Sequence, residues 1–136
     1  MGPMAAPAVS ATLTEQPFDV AFHPSRPLVA AGVISGSVDV FSFTPSACGP
    51  VQSRAAHDEC CRAVRFHLGG DLLVSGGTDK KLVLHDVERG KSVATLKDAH
   101  DAAINRIEVV SDTVLASGTW AQGLNRRTNG HSYWWS

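Results

Sequence analysis

Residues 72–86 read LLVSGGTDKKLVLHD, and this stretch decides the fold. It holds two short runs in which apolar residues alternate, and the residues Gly-Gly-Thr-Asp at 76–79 lie between them. Glycine tolerates positive φ and an Asp side chain bonds nearby backbone amides, so these four residues favour a tight turn. Two alternating runs joined by such a turn predict a β-hairpin.

The pattern of the hairpin recurs along the chain. LLVSG at 72–76 matches LVAAG at 28–32, 44 positions earlier, and its LVSG matches LASG at 115–118, 42 positions later. AHD at 56–58 recurs at 99–101. Chance similarity among short strands is the alternative, but several features aligned in a fixed order favour a repeat. A period in the low forties is typical of β-propeller blades.

Each unit also resembles the core of a WD-repeat propeller blade. In that pattern a small residue, glycines, a turn Asp and an apolar strand are followed by a closing Trp-Asp pair, which here is His85-Asp86. We therefore expect an all-β protein, a partial WD-repeat β-propeller of about two and a half blades that does not close into a ring. The expected segments are a disordered tail at 1–12, blade 1 at 13–54, blade 2 at 55–97, a partial blade 3 at 98–118 and an atypical C-terminal tail at 119–136.

Two details of blade 1 can be predicted from its sequence. FDVAF at 18–22 alternates, so Phe18, Val20 and Phe22 should share one face of the first strand. TPSACGP at 44–50 is rich in turn residues and predicts a loop, followed by a short outer strand at 51–54.

Composition narrows the class of protein. The apolar content of 43% and charged content of 18% indicate a globular chain. Twelve basic residues nearly balance thirteen acidic ones, so we expect no direct nucleic-acid binding. The odd number of cysteines, three, two of them adjacent, indicates a reducing compartment. No apolar run reaches membrane-spanning length, and the N-terminus is a poor signal peptide because no basic residue precedes its alanines.

A closer resemblance covers residues 13–118, which are similar to the N-terminal repeats of the WD repeat-containing protein 55 family. The motifs that carry it are AFHP at 21–24, AAG at 30–32, CRAV at 61–64, DVERG at 86–90 and KxAHxxxIN at 97–105. The resemblance implies a non-enzymatic scaffold of the nucleus and nucleolus, with the cytoplasm as a second location. Its implied partners are pre-ribosomal factors, and its implied role is ribosomal RNA processing and ribosome assembly.

Plant relatives of this type suggest an alternative role, that of a substrate receptor for a cullin-based ubiquitin ligase, whose adaptor would then be the partner. Receptors of that class close a repeat with Trp-Asp-any-Arg. This chain has HDVE at 85–88, and Arg89 follows one place late. A truncated product without independent activity is the third hypothesis.

The resemblance also implies a buried hydrogen-bonded set in blade 2, formed by His57, Ser75, Asp79 and, in the place of the usual tryptophan, His85. The neighbouring Asp86 completes the closing pair. We expect Asp79 to accept from turn amides and from His57, and so to hold the hairpin against the outer edge of the preceding blade. The matching residues in blade 3 are His100 and Ser117, with Ala121 in the Asp place, whereas blade 1 has Ser35 there and no matching His.

Other kinds of site are disfavoured. Cys60 and Cys61 are adjacent and would point to opposite faces of a strand, so they lack the spacing that chelates zinc. Either cysteine with His57 would make a nucleophile and base, but buried structural cysteine is the commoner state. The glycines at 76–77 lack the lysine and helix of a phosphate loop. We expect no cofactor, no metal and no catalysis.

Residues 119–136 break the pattern. Adjacent arginines at 126–127 stand where a strand should be apolar, and all three tryptophans and the only tyrosine occur from position 120 onward. A spliced or frame-shifted end and a divergent interaction tail both account for this change. Because an open ring leaves blade faces without neighbours, we expect the isolated chain to be marginally stable.

Overall fold

The all-β prediction is confirmed. The structure, a computed structural model, describes residues 9–111, 114–119 and 132–135, and these ranges contain no α-helix and so none that could cross a membrane. A 3-10 turn lies at Leu68–Gly70. The strands are β1 Pro17–Phe22, β2 Leu28–Val33, β3 Ser37–Phe43, β4 Cys48–Ala55, β5 Cys61–His67, β6 Leu72–Gly77, β7 Leu82–Asp86, β8 Lys91–Leu96, β9 Ile104–Val109, β10 Leu115–Thr119 and β11 Ser132–Trp135.

The strands form three antiparallel sheets in chain order. Blade 1 is β1-β2-β3-β4, blade 2 is β5-β6-β7-β8, and blade 3 is β9-β10-β11. The first strands of the blades lie side by side, β1 beside β5 and β5 beside β9. This is the arrangement of a propeller, and the described residues form an arc of it that does not close into a ring.

Two apolar layers hold the blades together. Between blades 1 and 2 the buried residues are Leu28, Ala30, Val38, Val40, Cys61, Val64, Leu73 and Val87. Between blades 2 and 3 they are Ala63, Val74, Leu82, Ala99, Ile104, Ile107 and Leu115. Because neighbouring residues of a strand point to opposite faces, β6 contributes Leu73 to the first layer and Val74 to the second. Blade 2 is therefore buried on both faces.

Glycines allow adjacent blades to approach closely. A Cβ atom on Gly32 of β2 would lie 2.7 Å from the sulfur of Cys61 in β5, and one on Gly76 of β6 would lie 2.6 Å from Cγ2 of Ile104 in β9. Real Cβ atoms do not make contacts this short, so any larger residue would force the two blades apart. Gly32 and Gly76 occupy the same position of the repeat, which explains why the motif ends in glycine.

A carboxylate joins the first strands of blades 1 and 2. Oδ2 of Asp19 accepts from the backbone N–H of Val64 at 3.0 Å and from Nη1 of Arg65 at 2.7 Å. Asp19 thus faces blade 2, while Phe18, Val20 and Phe22 are exposed on the strand, Phe22 to 69%. The alternation of β1 therefore sends its larger apolar side chains away from the blade 1–blade 2 layer.

Two segments differ from the expected boundaries. β4 begins at Cys48, inside the predicted loop at 44–50, so the outer strand is longer than its sequence suggested. Pro50 lies opposite Phe41 next to a register shift, on an outer edge strand where a missing N–H is tolerated. In the segment assigned to an atypical tail, Ser132–Trp135 pairs antiparallel with β10 as the third strand of blade 3.

Candidate functional site

Five side chains form one continuous line of hydrogen bonds, which we call the blade 2 network: Arg54, His57, Ser75, Asp79 and His85. Oδ1 of Asp79 lies 2.9 Å from Nδ1 of His57, and Nε2 of the same ring lies 2.8 Å from Oγ of Ser75. That oxygen is also 2.9 Å from Nε2 of His85. Nδ1 of His85 is 3.3 Å from Nη1 of Arg54.

The network connects two blades because its members lie on different elements. Arg54 belongs to β4 of blade 1, whereas Ser75 on β6 and His85 on β7 belong to blade 2. His85 pairs with Leu73 across the sheet, and Ser75 is two residues along β6 from Leu73, so the serine and the histidine share one face. His57 lies between β4 and β5. The line therefore runs from the outer strand of one blade to the hairpin of the next.

Asp79 anchors the turn between β6 and β7. Its Oδ2 accepts from the backbone N–H of Asp58 at 3.0 Å, and its Oδ1 also accepts from the backbone N–H of Lys81 at 3.3 Å. An ion pair of 2.7 Å between Nζ of Lys81 and Asp58 lies above it at the surface. The carboxylate thus fixes the turn and the segment that leads into β5.

Arg54 and Asp79, the two ends of the blade 2 network, set the direction of its hydrogen bonds when the two rings between them are neutral. A guanidinium can only donate, and a carboxylate can only accept. Arg54 therefore donates to Nδ1 of His85, whose Nε2–H donates to Ser75. The serine hydroxyl then donates to Nε2 of His57, and Nδ1–H of His57 donates to Asp79. With both imidazoles neutral, as their burial favours, each ring has one defined tautomer.

The environment of the two rings favours their neutral forms. Burial lowers the pKa of His57, although the hydrogen bond and charge of Asp79 oppose this. Burial, and to a smaller extent the positive charge of Arg54, lower the pKa of His85 to about 3. Each shift has the sign expected for a buried base next to the groups that surround it.

Asp79, His57 and Ser75 lie in the order and spacing of a hydrolase triad, but the serine cannot act as a nucleophile. Ser75 has no exposed surface, and its oxygen already accepts a hydrogen bond from His85. A nucleophile must reach its substrate, and the burial of Ser75 prevents this. The arrangement is therefore a structural one.

The cysteines are poorly suited to nucleophilic chemistry. Burial raises the pKa of the Cys61 thiol to about 12, and burial also raises the pKa of Cys60. Reactive cysteines need a lowered pKa, because the thiolate is the nucleophile. No cluster of three or more potential metal ligands occurs among the residues that the structure describes.

The remaining predicted residues make their hydrogen bonds outside the blade 2 network. Oδ1 of Asp86 accepts from the backbone N–H of Arg89 at 2.8 Å, so Asp86 closes the turn between β7 and β8. In blade 3, Nε2 of His100 and Oγ of Ser117 are 2.9 Å apart. Ser35 lies 3.4 Å from the hydroxyl of Ser37. Ala121 falls outside the described residues.

Sequence reasoning missed two residues that join blades 1 and 2. Arg54 precedes His57 by three positions, but its partner His85 is 31 residues away, and only the packing of β4 beside β7 brings them together. Asp19 alternates with Phe18, Val20 and Phe22 in the first strand, and sequence reasoning assigned it no role. The detectable signal in both cases is a charged residue on a strand that adjoins the next blade.

The comparison with family models finds one match. Residues 48–86 match the family described as WD domain, G-beta repeat. This range begins at β4 and ends with β7, and it contains all five members of the blade 2 network. The sequence repeat is therefore offset from the blade by one strand, and the network holds that offset unit together.

The fold and this match define the chain as a WD-repeat protein, a class that mediates protein–protein interaction and is generally non-enzymatic. Among curated proteins, its relatives are named WD repeat-containing protein 55. The protein of that name from Arabidopsis thaliana is 40% identical over 102 residues, and the one from Homo sapiens is 37% identical over 107. A homolog from Aedes aegypti is 34% identical over 100 residues.

The similarity covers most of this chain but a small part of each relative. The three alignments include 74%, 77% and 74% of the chain, and 29%, 28% and 21% of the relatives from Arabidopsis thaliana, Homo sapiens and Aedes aegypti. The chain thus spans less than a third of the length of the curated relatives that it matches.

Proposed function

We propose that the chain is a non-enzymatic scaffold that acts in the nucleus and nucleolus, where it binds pre-ribosomal proteins during ribosomal RNA processing and ribosome assembly. The observation that carries this proposal is the similarity to WD repeat-containing protein 55 over about three quarters of the chain. The nucleolar role itself comes from the family resemblance of the motifs.

The surface supports binding to proteins rather than to nucleic acid. Positive and negative residues nearly balance, 12 against 13, so no broad basic field attracts a phosphate backbone. Exposed apolar side chains, by contrast, lie together on blade 1. Phe22 stacks edge-to-face on Phe43 with ring centroids 5.9 Å apart, and Val20 is 52% exposed on the same strand as Phe22. Such patches are typical of protein interfaces.

Sedimentation of tagged chain from cells tests the proposal. We expect the chain to co-sediment with pre-ribosomal particles and to lie in the nucleolus. We expect Phe22→Ser to reduce the co-sedimenting fraction, whereas Val93→Ser, a change at an exposed residue of β8, should leave it unaltered. Diffuse localisation without co-sedimentation would contradict the nucleolar role.

The second candidate is a receptor of a cullin-based ubiquitin ligase, in which Arg89 contacts the ligase adaptor. Arg89 is exposed in the turn after β7, and that turn is fixed by the bond from its backbone N–H to Asp86 and by a 2.9 Å bond from Gly90 N–H to the Asp86 carbonyl. Pull-down of the adaptor, lost on Arg89→Ala and kept on the matched surface change Lys91→Ala, would favour this function. Capture that survives Arg89→Ala would exclude contact through this turn.

A further inference from the structure

We propose that the blade 2 network is an acid-sensitive latch, in which Arg54 of blade 1 stays bound to His85 of blade 2 while His85 is neutral and is released when His85 takes up a proton. The proposal concerns the junction of β4 and β7, and it follows from the number of protons that the network can hold. It is independent of the partner that the protein binds.

Four hydrogen bonds connect the five members, and each bond needs one proton. Arg54, His85, Ser75 and His57 supply one each, and Asp79 accepts the last. The neutral network is therefore complete. A fifth proton on His85 would place an N–H at Nδ1 opposite the guanidinium, so two donors would face each other at that contact.

The conflict depends on which ring takes up the proton. On His85, the proton occupies Nδ1 and faces the guanidinium directly. On His57, it occupies Nε2 and donates to Ser75, whose oxygen has two lone pairs and can accept from both rings while its O–H turns away. Only a proton on His85 is therefore opposed at the contact between Arg54 and His85.

This contact is also the one that can open most easily. Its N···N distance of 3.3 Å is the longest of the four, and Arg54 is half-buried whereas His57, Ser75 and His85 are buried. Nη2 of Arg54 donates to Gln52 on its own strand at 3.3 Å, so the guanidinium keeps a partner if it leaves His85. Turning Arg54 toward solvent therefore costs less than disrupting the buried rings.

Charged groups around the rings act in opposite directions. Asp79 and Asp58 favour a proton on His57, and Lys81 opposes it. Arg54 opposes a proton on His85, and Asp86 acts on the network by attracting Arg54. Burial disfavours the charged form of both rings. The closed latch therefore excludes a proton that an open one would accept.

Two side-chain hydrogen bonds link β4 to β7 and to the turn that follows β7. Release of Arg54 removes one of them. The other is the bond from Nε2 of Gln52 to the carbonyl of Val87, at 2.8 Å. Because the Gln52 link contains no group that titrates near neutral pH, acid weakens the junction without abolishing it. We expect blades 1 and 2 to loosen at their outer edge while the apolar layer between them stays in place.

Linkage gives the size of the effect. The ordinary histidine pKa is near 6.5, and the folded pKa of His85 lies far below it, so any state with an open network binds more protons below pH 6.5. The stability that neutral His85 contributes is therefore fully present above about pH 6.5 and is lost progressively as the pH falls toward 3. Between pH 7.5 and 5.5, one such histidine raises the unfolding constant about tenfold.

The first experiment needs no variant. Long-range 1H–15N spectra of the histidine rings in the full 136-residue chain at pH 7.5 should show the Nδ1–H tautomer for His57 and the Nε2–H tautomer for His85. The opposite tautomer on His85 would place a donor against Arg54 and would overturn the proposal.

The second experiment compares two arginines that join blades 1 and 2. Arg54→Met should raise the unfolding constant at pH 7.5. The ratio of the variant's unfolding constant to that of the wild type should shrink toward one as the pH falls, because His85 without the opposing guanidinium takes up a proton more readily in the folded variant, so acid destabilises the variant less. Arg26→Met is the matched control, since Arg26 also joins blades 1 and 2, through a 3.3 Å ion pair with Glu88, but is not a member of the blade 2 network. The ratio of the unfolding constant of Arg26→Met to that of the wild type should be the same at pH 7.5 and 5.5. A ratio for Arg54→Met that does not change with pH would refute the latch.

The third experiment removes the titrating ring. Gln at position 85 can still donate to Ser75 but cannot take up a proton. The rise in unfolding constant between pH 7.5 and 5.5 should be about tenfold smaller in His85→Gln than in the wild type. An unchanged profile would show that His85 does not bear the acid sensitivity.

Discussion

The small side chain of Ser75 makes hydrogen bonds to two histidines. Its one oxygen accepts from His85 and its one proton goes to His57, so two imidazoles depend on a single hydroxyl. Alanine fits the space but satisfies neither ring. The central residue of the blade 2 network is therefore the least replaceable one.

We expect Ser75→Ala to destabilise the protein by about 2–6 kcal/mol, since it leaves one buried donor and one buried acceptor without a partner at about 1–3 kcal/mol each. Ser42→Ala is the control, because Ser42 is exposed on β3 and should change stability by no more than about 0.5 kcal/mol. Urea unfolding at pH 7.5 measures both. Equal losses for the two variants would show that the network contributes nothing to stability.

At this scale, the repeat pattern points to residues that the structure places within hydrogen-bond distance of one another. His57, Ser75, Asp79 and His85 each occupy a fixed position in the unit, so their proximity could be predicted. Arg54 could not be predicted, because its role depends on how one blade sits against the next. Because histidine stands at position 85 in place of the usual tryptophan, the blade 2 network contains a second titratable ring.

At the scale of strands, the third repeat supplies a comparison within the chain. Gly118 of β10 occupies the same repeat position as Gly32 and Gly76. A Cβ atom on Gly118 would meet no heavy atom within 4 Å among the described residues, whereas Gly76 is pressed against Ile104 of the next blade. The close approach thus depends on a following blade and not on the hairpin itself.

Alanine at the two positions should therefore have opposite effects. Gly76→Ala should cost about 1–3 kcal/mol, the usual price of overpacking, because the new methyl group collides with Ile104. Gly118→Ala should be neutral or stabilise slightly, since it restricts the unfolded chain without a clash. Thermal unfolding of the two variants tests the pair. A large loss for Gly118→Ala would mean that its face is covered.

Outer strands were the harder elements to predict. β8 is exposed at most positions, and β4 combines Gly49 and Pro50 with polar residues, so neither carries the apolar alternation that identified the inner strands. Backbone pairing with β3 and β7 defines them instead. Such pairing leaves little trace in composition, which explains why β4 was predicted too short.

At the scale of the whole molecule, the three blades differ in how fully they are covered. Blade 2 has a neighbour on each face, whereas Val20 and Phe22 of blade 1 are exposed by 52% and 69%. Stability in repeat proteins comes largely from the interfaces between units. The two apolar layers should therefore carry most of the folding free energy, and the open face of blade 1 should contribute little.

Substitutions in the buried layer and on the exposed apolar patch should separate the effect on stability from the effect on self-association. Leu73→Ala removes a buried side chain from the layer between blades 1 and 2 and should cost about 2–5 kcal/mol. Phe22→Ser removes a side chain that is mostly exposed, so the stability loss should stay below about 1 kcal/mol. It should, however, lower the binding of a hydrophobic dye and any self-association of the chain, because Phe22 and Phe43 form the apolar patch. Val93→Ser, on an exposed position of β8, controls for the loss of any apolar surface residue. A wild-type chain that is monomeric, unfolds cooperatively and binds no dye would contradict this prediction. Blade 1 would then not expose the apolar patch of Phe22 and Phe43 to solvent.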